Sequence, residues 1–149
     1  MIQPPVTTPF FTHFAVTMRL ADATSDLLVR HISLLRDCVA LARLRTGAEI
    51  DTATVLPAEM HLLCRLLPGE DPGPTLRAIQ VGFARHAGAD GPVWDREMTL
   101  AEVPAAAIAG RRRFLLGAPV RAGLVRDPGD WPYSSLHRRG ALRGDCAPA

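Results

Sequence analysis

Hydrophobic and polar positions run through this chain in two rhythms, and the switches between them mark its elements. Phe10 to Leu20 (FFTHFAVTMRL) mixes aromatic and β-branched residues with alternation, which predicts a first strand. Ala21 to Thr24 makes a turn. Ser25 then suits a helix N-cap, with Asp26 favourably placed in the first turn. Leu28, Ile32, Leu35, Val39 and Ala42 follow at spacings of four, three, four and three. That is one apolar stripe on a helix running to about Arg45, which Gly47 stops. His31 sits beside the stripe and reads as a boundary residue.

Glu49 to Leu56 returns to alternation and predicts a second strand. Pro57-Ala58 turns the chain, and Glu59 to Leu67 forms the third strand of a hairpin. Pro68 to Gly73 is a loop of breakers. Pro74 suits the first turn of a second helix, whose apolar face carries Leu76, Ile79 and Phe83. Gly82 weakens that helix by about 1 kcal/mol relative to Ala. After a loop from Ala87 to Pro92, Val93 to Leu100 predicts a fourth strand. A third helix runs from about Pro104 to Leu116 and ends at Gly117-Ala118-Pro119. Short turns follow, and from about residue 138 the chain reads as a disordered end.

The order is strand, helix, strand, strand, helix, strand, helix. Its first six elements are the split β-α-β pattern of an α+β, ferredoxin-like, four-stranded antiparallel sheet with helices on one face, plus a C-terminal helix and tail. The hairpin strands are expected centrally. One domain covers 1–149, enough chain for a core without disulfides.

Composition changes the picture in four places. The sequence has no run of about 18 apolar residues, so no membrane span is expected. Met1 to Pro9 lacks a signal peptide's basic and apolar regions. Cys38, Cys64 and Cys146 are odd in number and match no metal spacing, which fits reduced thiols in a cytoplasm. Every basic residue is Arg, and from residue 111 onward eight Arg face three Asp although the net charge is only +2. This asymmetry fits either a basic face for a polyanion or a solvated tail.

On a strand Glu59 and His61 point the same way. A carboxylate beside an imidazole can hold a divalent cation, or can be an edge Glu and a hydrogen-bonded His. Tyr133 is the chain's one tyrosine and reads as an amphipathic packing residue.

Several segments together resemble the REP-associated tyrosine transposases, a branch of the single-tyrosine HUH transposases. They are Phe14 to Ile32, Val55-Leu56-Pro57, the helix around Leu76 to Phe83, and Trp94. The likeness is sharpest at Pro119-Val120-Arg121-Ala122-Gly123-Leu124-Val125 and at Asp130-Trp131-Pro132-Tyr133-Ser134-Ser135. It implies a ferredoxin-like fold, usually dimeric, that binds hairpin or single-stranded DNA. It also implies two His on a strand holding Mg²⁺ or Mn²⁺ and a Tyr on the last helix that attacks the scissile phosphate.

The chain departs from that pattern where the chemistry happens. The first metal His falls on Glu59, and only His61 keeps its identity. The nucleophile falls on Phe114, which has no oxygen, so no residue is assigned a catalytic role. Ala118 stands one turn on, where the family commonly has an amide. The expectation is a transposase-family DNA-binding protein that has lost strand cleavage. Arg111, Arg112, Arg113, Arg121, Arg138 and Arg139 would contact phosphates, unless the triplet is simply solvated. Two alternatives stand beside it: a water-using, metal-dependent nuclease with Glu59 and His61 as ligands, and a decaying transposase, which Gly82 and Gly110 within helices would fit.

Overall fold

The computed structural model describes residues 11–88 and 91–137. Strands β1 (Thr12–Leu20), β2 (Glu49–Val55), β3 (Glu59–Leu66) and β4 (Trp94–Val103) form one sheet in the order β2-β3-β1-β4. All three pairings are antiparallel. This is the expected ferredoxin-like sheet. One detail differs: β3 is central, but its hairpin partner β2 lies at an edge. The two crossovers carry β2 and β4 to the outside, so β1 and β3 pair in the middle.

Period-two alternation then assigns the faces. Val16, Met18 and Leu20 of β1, with Met60, Leu62 and Cys64 of β3, point into the main core. Above them pack α2 (Ile32–Thr46) and α3 (Gly73–His86), through Leu35 and Ala42 and through Leu76, Ile79 and Phe83. A smaller cluster of Ala15, Leu63, Val103 and Leu115 lies on the opposite face, beneath α4 (Ile108–Leu116).

The expected first helix is two pieces. A short α1 (Leu27–Arg30) precedes α2, and the break is His31, at φ −115° and ψ 43°. The N-cap is Asp26 rather than the expected Ser25, whose Oγ accepts from the Leu27 amide at 3.1 Å one residue earlier. Asp26 pairs with Arg30 instead of standing in the first turn. Gly47 ends α2 in the left-handed region at φ 78°. Gly117 closes α4 after Leu116 as expected, but at φ −84° rather than in the left-handed region. A separate short α5 (Ala118–Arg121) follows with Pro119 in its first turn, where a missing N–H costs nothing.

Gly82 has a packing role. A Cβ there would stand 3.3 Å from Cys38 Sγ, so its bareness brings α3 close to α2. Trp131 to Ser135 cover the β2 edge. Trp131 Nε1 donates to the Val55 carbonyl, the Val55 amide donates to Tyr133 O, and the Ala53 amide donates to Ser135 Oγ. Among the described residues, no helix is long and apolar enough to cross a membrane.

Candidate functional site

Two polar links set α4 against the sheet. Thr54 of β2, fully buried, donates from Oγ1 to the Leu115 carbonyl at 2.9 Å. Arg112 reaches Asp51 of β2 with Nε and a terminal nitrogen, both at 2.7 Å. Burial alone pushes the Asp51 carboxyl up. The hydrogen bonds from Arg112 and Thr52 and the charges of Arg112 and His13 outweigh it and hold the pKa at about 2.

So anchored, α4 leaves a groove of about 460 Å³ between itself and β1, β3 and β4. Glu59 and His61 of β3 line it, as do Thr17 and Arg19 of β1 and Arg111, Phe114, Ala118 and Arg121 of α4 and α5. Phe114 faces this groove and is 51% exposed. Arg121 lies over its ring at 3.7 Å from the centroid, and Arg111 stands at 5.8 Å.

Glu59 and His61 are already paired with each other. His61 Nε2 is 2.8 Å from Glu59 Oε2, and Nδ1 is 3.1 Å from Thr17 Oγ1. A carboxylate only accepts, so Nε2 carries the proton and the Thr17 hydroxyl donates to Nδ1. Burial lowers the His61 pKa, Glu59 opposes this, and Arg19 and Arg121 reinforce it, which leaves the ring neutral near pH 7. Arg19 Nε lies 3.3 Å from Glu59 Oε1. Cross-strand register sets this chain of contacts, since Thr17 stands opposite His61 and Arg19 opposite Glu59.

The remaining candidates separate. Arg112 is committed to Asp51, whereas Arg113 is exposed on α4. Arg138, Arg139, Cys146 and the expected disordered end lie outside the described residues. Tyr133 packs edge-on against Trp131 at 5.2 Å and lines a separate cavity with Leu35, Met60 and Leu62, on the core side of the sheet. Sequence reasoning missed Thr17 and Arg19, whose roles depend on the β1–β3 register. That register is set by packing across some forty residues rather than by a short turn.

No family model matches the chain. The REP-associated tyrosine transposase of Escherichia coli K12 is 27% identical over 123 residues, 82% of this chain and 74% of that protein. A REP-associated tyrosine transposase solved bound to a REP hairpin superposes with a TM-score of 0.82, over 99% of this chain and 89% of that one, at 22% identity. The chain is similar in sequence and in fold to the REP-associated tyrosine transposases. A candidate transposase of Deinococcus radiodurans R1 follows at TM-score 0.55 and 15% identity, over 76% of this chain and 95% of its own.

The resemblance to those transposases implies a divalent cation at Glu59 and His61, and the side chains present do not fit one. The lone pair of Nδ1 is taken by Thr17, Nε2 holds a proton toward Glu59, and Glu59 already carries Arg19. Among the described residues no cluster of three or more His, Cys, Asp or Glu is arranged to hold a metal. Three guanidiniums share the groove with one carboxylate, a balance that repels a cation.

Proposed function

We propose that this chain is a DNA-binding protein of the REP-associated tyrosine transposase type that recognises a DNA hairpin or single strand and does not cleave it. The observation that carries this reading is Phe114 facing the groove beside Glu59 and His61. Phosphotyrosyl transfer needs an oxygen within attacking distance of phosphorus, and a phenyl ring offers only carbon. A basic, partly aromatic groove with no tyrosine among its described lining residues is suited to holding nucleic acid. The REP hairpin seen with the structurally similar transposase is the natural probe for this chain.

The water-using nuclease receives no support from a Glu59–His61 pair whose side chains are turned to each other, to Thr17 and to Arg19. The decay reading loses one of its arguments, because Gly82 sits at a close helix contact. The same proposal expects a homodimer acting in a cytoplasm, with Cys38 and Cys64 as free thiols. The experiment is a mobility shift of a labelled REP-type hairpin at low salt. A shift that weakens steeply with added salt is expected. Absence of any shift would refute the DNA-binding reading, and light scattering that gives a monomer mass would refute the dimer.

A further inference from the structure

The groove gathers three guanidiniums, two of them on one half-exposed aromatic ring. Arg19 reaches in from β1, and Arg111 and Arg121 flank Phe114. Gly117 allows the Arg121 pose, since a Cβ there would stand 3.1 Å from a terminal nitrogen of that guanidinium. Among the described residues, neither Arg111 nor Arg121 has a carboxylate within ion-pair distance. Among the described residues Glu59 is the only carboxylate lining the groove, and Arg19 and His61 already share it.

We propose that this groove binds a phosphodiester without any divalent cation, Arg19 and Arg121 supplying the positive charge and Phe114 a stacking surface for the adjoining base. The proposal rests on the DNA-binding reading above and specifies its site. Three cations against one anion attract phosphate. A planar guanidinium presents paired N–H donors that match two phosphate oxygens, which a compact ammonium does not. The half of the Phe114 ring left exposed can take a base, with Arg121 already stacked on it. Glu59 acts as a brake, because it competes with the phosphate for Arg19.

A metal site and an arginine site respond with opposite signs, so anisotropy of a labelled single-stranded oligonucleotide separates them. Affinity should be the same in EDTA and in Mn²⁺. Arg121→Ala should weaken binding about tenfold, the loss of one charge-assisted contact. Arg121→Lys should recover only part of it. Glu59→Gln should tighten binding severalfold, by removing the competing anion. Binding that strengthens with Mn²⁺ and collapses in Glu59→Gln would overturn the proposal. So would affinity indifferent to both Arg121→Ala and Glu59→Gln. A labelled hairpin run in parallel keeps the two readings apart. Hairpin binding that survives with those variants silent sinks only this inference, whereas no hairpin binding by the unmodified protein sinks both.

Discussion

Arg111, Arg112 and Arg113 are consecutive on one helix and meet three different surroundings: a groove, a buried carboxylate and solvent. Helical geometry alone turns successive side chains by about 100°, so a run of like residues cannot share one role. Replacing Arg112 with Met should cost about 1–2 kcal/mol at pH 7. This is below the ordinary cost of breaking a buried pair, because Arg112 is 41% exposed and partly screened. Asp51 has a folded pKa below its unfolded value, so its contribution is full above pH ~4 and fades as pH falls through about 2. Urea unfolding of wild type and Arg112→Met should therefore converge between pH 5 and pH 2. A gap that stays constant over that range would refute the Asp51 assignment. Period two placed Glu59 and His61 on one face from sequence alone. That Arg19 and Thr17 stand opposite them required the register between strands distant in sequence.

At the scale of elements, sequence rhythm foretold the strands and helices and misjudged one glycine and a tail. Gly82 reads as a flaw when helix propensity is considered alone, but its neighbour across α2 is Cys38 Sγ. Gly82→Ala gains helix propensity and loses room, and should change stability by less than about 0.5 kcal/mol. In a Cys38→Ala background the same change should stabilise by up to about 1 kcal/mol. Additive behaviour in a denaturation cycle would show that the two residues do not compete for space. Gly117 and Gly47 both close helices, but at different backbone angles, which composition cannot reveal. The Trp131 to Ser135 segment reads as turns, yet it completes the β2 edge that would otherwise stand open. Truncation after Asp130 should speed hydrogen exchange at the Ala53 and Val55 amides, whose partners are Ser135 and Tyr133. Unchanged protection at both amides would deny that segment its covering role.

For the whole molecule, the basic bias of the last forty residues acquires a direction. Arg111 and Arg121 line the groove, Arg113 stands free on the same helix, and Arg112 is spent on holding that helix to the sheet. Arg111→Ala and Arg113→Ala should each reduce the slope of log affinity against log salt by about 0.7 for single-stranded DNA. Arg112→Met should leave that slope unchanged while lowering stability. Equal slopes for all three variants and wild type would mean that α4 meets no phosphate.

We propose that recognition survives here without strand cleavage, since Phe114 faces the groove with a ring that has no oxygen to attack phosphorus. The direct measurement is a denaturing gel of the unmodified protein incubated with a radiolabelled single-stranded hairpin, in Mg²⁺ and in Mn²⁺. No label should migrate at the protein's mass. A labelled band at that mass would contradict the account, and its loss in Tyr133→Phe would identify the residue that took over the attack.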